Sequence, residues 1–170
     1  MRFSTTTVLF ALVALSAAGP VGLKKKQAGV LTARPYSQFQ ISDGVAGNAL
    51  AEVNAMFPID TSDLASVSED DLQIIKDARE TAEDAETGTG GFNDELDAAS
   101  GDTTALQNGK IKNKVLKLQL EVLALQIEAA QGDADQDKID EEMTKLNNNI
   151  ALDEAAAGED SVGVSDTFDG

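Results

Sequence analysis

The chain has 170 residues, with 30 acidic against 13 basic, a net charge of −17, and no cysteine, histidine or tryptophan. Such a surface excludes nucleic acid as a partner, because binding it depends on cationic neutralisation of phosphates, and it disfavours anionic membranes for the same reason. Without cysteine there is no disulfide scaffold, and without histidine or cysteine the usual serine- and cysteine-type catalytic triads lack their base or nucleophile.

The first twenty residues, MRFSTTTVLFALVALSAAGP, follow the plan of a secretory signal peptide. Arg2 supplies the charged start and residues 8–15 an apolar run too short to span a bilayer. Ser16, Ala17 and Ala18 supply small residues for cleavage after Ala18. Secretion to the extracellular space is therefore expected, with no stable membrane insertion. Lys24, Lys25 and Lys26 follow on the translocated side, where a membrane anchor does not favour positive charge. They suit a basic processing site that ends a propeptide at 19–26 and leaves Gln27 as the N-terminus; the alternative is an unprocessed, solvated charge cluster. Removing residues 1–26 takes away Arg2 and the three lysines, leaving nine basic residues against thirty acidic ones, a net charge of −21. That charge favours a soluble monomer. Mutual repulsion among the carboxylates is expected to raise their average pKa in the folded state, so that stability increases as pH falls from neutral toward about 5.

Residues 27–40 read as extended or irregular, with a short alternation around Phe39 and Ile41. Ala46, Ala49, Leu50, Val53 and Phe57 recur at three- and four-residue steps before Pro58, which predicts a first helix over 44–56 capped by Ser42 or Asp43. Asp60 to Asp63 can cap a single turn at 64–67. Ser68 with Asp71 resembles a capping box, and Glu69, Asp70 and Asp71 place anions at a helix N-terminus. Leu72, Ile75, Ala78, Ala82 and Ala85 form one stripe that narrows to alanine, where a neighbouring helix can approach closely. FNDELDAASGD allows a short helical turn, after which Asp102 or Thr103 can cap a long helix. Asn108-Gly109 interrupts that helix as a kink or a break, since Gly costs about 1 kcal/mol relative to Ala.

The segment KIKNKVLKLQLEVLALQIEAAQ, residues 110–131, carries two apolar stripes. Ile111, Val115, Leu118, Val122, Leu125 and Ala129 are spaced 4, 3, 4, 3, 4; Leu116, Leu120, Leu123, Ile127 and Ala130 are spaced 4, 3, 4, 3. The face is wider than a dimer seam needs, and Lys110, Lys114, Lys117, Glu121 and Glu128 occupy the remaining arc. The pattern fits a helix in the middle of a bundle rather than a membrane span. A turn at 131–136 leads to a last helix over 137–157, with Ile139, Met143, Leu146 and Ile150 facing the hairpin and Gly158 as a C-cap. The lysines of 110–117 are then expected beside Asp153 and Glu154. The predicted fold is all-α: a small helical bundle of four or five helices over 27–158 with a C-terminal antiparallel helical hairpin, followed by an acidic disordered tail at 159–170.

Catalytic and cofactor motifs are not apparent. TGTGG at 87–91 lacks the lysine of a phosphate loop and reads as a plain loop. Asp133, Asp135 and Asp137 alternate like calcium ligands, yet Lys138 stands where the loop needs Gly and Thr144 where it needs Glu, so a turn with helix-capping acids is expected. The chain is read as a non-enzyme without cofactor or metal, and close packing of the apolar interior is favoured over a ligand cavity.

The signal peptide, the basic site, ISDGVAGNALAEVNAMF, DLASVSEDDL, AEDAET, GKIKNKVLKLQLEV and LNNNIALDEAAAG together resemble a family of small secreted proteins of filamentous fungi. The resemblance implies a candidate effector, a secreted non-enzymatic interaction protein acting on a host or competitor through an extracellular protein or cell-wall component. It carries no catalytic motif, and the chain departs from the usual effector in having no cysteine. A looser likeness is to fungal hydrophobic-surface-binding and cell-wall mannoprotein domains, which are helical, secreted and cysteine-poor. That likeness implies the alternative of an extracellular lipid-binding or hydrophobic-surface-binding protein.

Overall fold

The computed structural model describes Lys26, residues 28–164 and Phe168. The signal-peptide features, Ala18, Lys24, Lys25 and Gln27 lie outside the described residues. Five α-helices occur among the described residues: α1 (Ala49–Met56), α2 (Glu69–Thr87), α3 (Phe92–Ala98), α4 (Thr104–Gln131) and α5 (Gln136–Ala155). Two-residue strands β1 (Gly44–Val45) and β2 (Asp160–Ser161) pair antiparallel, Gly44 opposite Ser161. Short 3-10 turns occupy Tyr36–Gln38 and Thr61–Ser66. The fold is thus mainly helical, with α4 and α5 forming the C-terminal hairpin.

α4 is the central element, packing against α1, α2, α3, α5 and β2. Val115, Leu116, Leu118, Leu120, Val122, Leu123, Leu125 and Ile127 are all buried. Removing each such side chain from water contributes about 1.5–3 kcal/mol before ordering costs are subtracted. Ile111 is partly exposed; at its level the buried positions of α4 are Asn108, Lys112 and Asn113. From α5, Ile139 and Leu146 are buried, while Met143 and Ile150 are partly buried against the same core. On α2, Ile75, Ala78, Ala82 and Ala85 are buried and Leu72 partly so. α2 runs antiparallel to α4, as Lys76 pairs with Glu128, Arg79 with Glu121, and Lys117 with Glu83 and Glu86.

Caps set the helix starts. Ser68 Oγ accepts from Asp71 N at 3.0 Å and starts α2. Only this half of a capping box forms, because the Asp71 carboxylate is bonded elsewhere. Asp102, rather than Thr103, bonds the start of α4, accepting from Thr104 N at 2.9 Å. Asp135 accepts from Lys138 N and caps α5, so this acid of the 133–137 turn serves the helix.

Five sequence expectations are corrected. The first helix begins at Ala49 rather than 44, because Gly44 and Val45 are drawn into the ribbon with β2. Asn108-Gly109 neither kinks nor breaks α4. Gly109 is needed for close approach, since a Cβ there would overlap the Val162 carbonyl oxygen. The tail is ordered through Val164: after β2, Val162 N donates to Ala105 O and Gly163 N to Asp43 Oδ1, and Phe168 meets Tyr36 edge-on. The lysines of 110–117 do not seek Asp153. Lys114 and Lys117 pair across the seam with α2, and Lys112 pairs with Glu52 of α1. Finally, α5 ends at Ala155, with Ala156 as its C-cap, and Gly158 N donates instead to Ala46 O.

Candidate ligand pocket and polar fastenings

Buried polar side chains join the leader, residues 28–40, and the tail, residues 159–164, to the helices. Asp71, 3% exposed, accepts from Val30 N and from Leu31 N at 2.7 Å, holding the leader across the start of α2. Asp153 of α5 accepts from Gly47 N at 2.9 Å and Ala49 N at 2.8 Å, and so satisfies donors at the start of α1. Gly47 permits this contact: its φ is +110° and a Cβ there would come within 2.6 Å of Ala157. Lys112 is fully buried, and its ammonium donates to the carbonyls of Asp43 and Val45 and pairs with Glu52 at 3.0 Å. Asn113, also fully buried, accepts from the Tyr36 hydroxyl at 2.8 Å and donates to Ala82 O at 2.8 Å. Asn108 donates to Asp160 O, and the Ser161 hydroxyl to Ser42 O. Hydrogen bonds to charged groups contribute about 1.5–3 kcal/mol each, and stranding a buried partner costs a similar amount.

Sequence reasoning missed Lys112 and Asn113. A signal was present: stepping back from Leu116 by three and then four residues reaches Asn113 and Gly109, so the buried stripe continues through polar and small residues. Polar residues on a buried stripe require hydrogen-bonding partners, and these lie far away in the chain.

A separate cavity of about 340 Å³ opens between the leader, the end of α1 and the face of α2. Its apolar wall includes Pro35, Phe39 and Phe57, the two rings meeting edge-on at 5.9 Å. Arg34 stands at one side. Its guanidinium lies 5.9 Å from the Phe57 ring centroid and donates to Met56 O at 2.9 Å. Asp77 stands on the α2 wall, where its carboxylate accepts from the Gln73 amide at 2.7 Å. Thr81, one turn on, donates to Asp77 O. The volume lies at the lower end of small-molecule pockets.

The titratable groups elsewhere follow their ion pairs. Burial pulls the Lys117 ammonium down, but its hydrogen bonds and charge pairing with Glu86 and Glu83 outweigh it, and the net shift is upward. The hydrogen bond that Lys138 donates to Glu121 raises its pKa, and those that Lys145 donates to Glu141 and Glu142 push it up to about 12. The carboxyls of Asp60, Glu69, Asp102 and Glu141 lie below the ordinary carboxylate range, held there first by hydrogen bonds from Ser62, Lys26, Thr104 and Lys145 respectively. This is the reverse of the rise expected from mutual repulsion: at these positions a local donor outweighs the diffuse field. Among the described residues no group of side chains could hold a metal ion, and no helix is long and apolar enough to cross a membrane.

A family model described as a domain of unknown function, DUF8454, matches residues 31–165. The chain belongs to this family. No curated protein and no solved structure matches it. The DUF8454 span begins at Leu31, where Asp71 grips the leader, and extends past β2. It is therefore wider than the helices alone and takes in both fastened ends. The pocket residues Arg34, Phe39, Phe57 and Asp77 lie within it.

Proposed function

We propose that this DUF8454 chain is a secreted, non-enzymatic interaction protein of a filamentous fungus, acting on a host or competitor by binding an extracellular protein or cell-wall component through its acidic surface. The signal-peptide plan, the resemblance in sequence and the charge balance support the reading. The observation that carries it is how the buried polar side chains are used. Asp71, Asp153, Lys112, Asn113 and Asn108 each hold backbone or another buried side chain in place. The carboxylates left over are spread on exposed helix faces, as in Asp70, Glu80, Asp84 and Glu141. Such a surface recruits partners by charge, which favours cationic or neutral polymers and speeds encounter at low salt.

The alternative of a lipid carrier or surface coat drew on the broad apolar face of 110–131. In the fold α1, α2 and α5 pack on α4, and the seam residues from Val115 to Ile127 are buried. That face is not available to a hydrophobic surface.

The test is adsorption of the purified secreted protein to isolated fungal and host cell-wall fractions at about 20 and 300 mM salt, where screening lengths differ several-fold. Saturable binding that weakens with salt is expected. Absence of binding to every fraction at low salt would reject the proposal, and uptake by hydrophobic beads alone would favour the coat.

A further inference from the structure

We infer that the cavity between the leader and α2 is a binding site for a small zwitterion with an apolar body, of the class of an aromatic or branched amino acid. This inference goes beyond the surface-binding proposal and stands independently of it.

The first argument concerns Arg34. Most described cations face a carboxylate: Lys26, Lys76, Arg79, Lys112, Lys114, Lys117, Lys138 and Lys145 all form ion pairs. Arg34 forms none among the described residues, nor does Lys110 on α4, although acids outnumber bases more than twofold; of these two, Arg34 alone lines the cavity. Its guanidinium is nevertheless held in place. One nitrogen donates to Met56 O at 2.9 Å, another contacts Met56 Sδ at 3.4 Å, and the Phe57 ring lies beneath it. A guanidinium has five N–H donors in a planar fork suited to a carboxylate, and these contacts use only part of the set. The side chain is half-buried, which lessens the screening of any bond it makes.

The second argument concerns Asp77. It lines the same cavity but does not pair with Arg34. Opposite charges that share a cavity without touching suit a ligand that carries both an acceptor and a donor. The carboxylate of the ligand would meet Arg34 and its ammonium Asp77. Phe39 and Phe57 are 3% and 5% exposed and form part of an apolar wall for the body. A simple fatty acid satisfies Arg34 but brings no donor to Asp77.

The experiment is a titration of the isotope-labelled secreted protein, followed by amide chemical shifts, with L-phenylalanine, phenylacetate and octanoate as probes. Saturable shifts with L-phenylalanine are expected around Arg34, Phe57 and 77–81, with the distant 132–135 turn unchanged. Phenylacetate and octanoate should bind at least about tenfold more weakly, the loss expected when a charged hydrogen bond is removed. Arg34→Lys keeps the charge but loses the fork and should weaken L-phenylalanine about tenfold. Asp77→Asn, at an exposed position where the fold has little at stake, should erase the preference for L-phenylalanine over phenylacetate. Absence of saturable shifts with all three probes up to about 10 mM, well above the range of a specific small-molecule site, would overturn the inference. So would equal binding of L-phenylalanine and phenylacetate, or a preference that survives Asp77→Asn.

Discussion

The helical centre and the two described segments that flank it, the leader and the tail, are held by different balances of forces. In the centre, α4 is enclosed by α1, α2 and α5 through Leu, Ile, Val and Ala. The attraction there is non-directional, grows with area and tolerates local adjustment. At the ends, the leader and the tail add Tyr36, Phe39 and Ile41 to the core and pack Leu31, Val164 and Phe168 against it, but single polar groups fix where the backbone lies: Asp71 on Val30 and Leu31, Asp153 on Gly47 and Ala49, Lys112 on the β1 segment. These bonds are directional and few, so each matters more to its own segment than to the whole. A chain without disulfides thereby fastens the described leader and tail segments to α4 and to its neighbours.

Substitutions can separate the two regimes. The largest effect is expected in the centre. Leu120→Ala leaves a void at a fully buried position and should lower global stability by about 3–4 kcal/mol, read as a shift of the urea midpoint with unchanged slope. A loss under about 1 kcal/mol would mean that α4 is not the packed centre. Next comes Asp153→Ala, which strands the amides of Gly47 and Ala49. A loss of about 2–3 kcal/mol is expected, with amide exchange accelerating at 44–49 before it does in α4. Uniform acceleration would erase the distinction between centre and ends. Gly109→Ala should act on the tail in particular. The helix gains about 1 kcal/mol from alanine, while the clash with the Val162 carbonyl costs about 1–3 kcal/mol. Small net change in the midpoint but loss of the β1–β2 cross-strand contacts by NMR is the expected signature. An intact ribbon would show that Gly109 is not there for close approach.

The smallest effect is that of pH. Asp60, Glu69, Asp102 and Glu141 have folded-state pKa values below the ordinary 3.8 for Asp and 4.5 for Glu. A depressed carboxyl contributes stability above its unfolded pKa and loses it as pH falls through the folded value. All four are exposed, so each contributes little. Thermal midpoints should therefore be nearly flat from pH 7 to 5 and decline below about pH 4. A clear rise between 7 and 5 would restore mutual repulsion as the ruling term.

The same contrast explains how much of the molecule was legible in sequence. The stripes of α2 and α4, the Ser68 cap and the α4–α5 hairpin rest on spacings within one or two dozen residues, and a periodic pattern reveals them. The ends rest on pairs such as Gly44 with Ser161 or Lys112 with Val45, which no local window contains. Gly44 and Val45 were assigned to a helix because Ala46, Ala49 and Leu50 continue at helical spacing, and the distant strand overrides that preference. Asn108-Gly109 looks like a break only until Val162 is placed against it. The pocket was not visible either, since Arg34, Phe57 and Asp77 come together only once the leader crosses α2. The apolar width of 110–131 favours close packing over a ligand between the helices; the seam is buried, and the cavity lies instead at the edge.

The most direct test of this account is amide hydrogen exchange on the purified protein near neutral pH, resolved by residue. The backbone N–H groups of Val30, Leu31, Gly47, Ala49, Val162 and Gly163 each donate to a named acceptor at an end of the chain. Fastened ends predict slow exchange at all six, tens-fold or more below the unfolded rate, as closed hydrogen bonds require, with Asp153→Ala releasing Gly47 and Ala49 alone. Exchange of all six at the unfolded rate, while α4 stays protected, would show a bare helical bundle with loose ends and contradict the account.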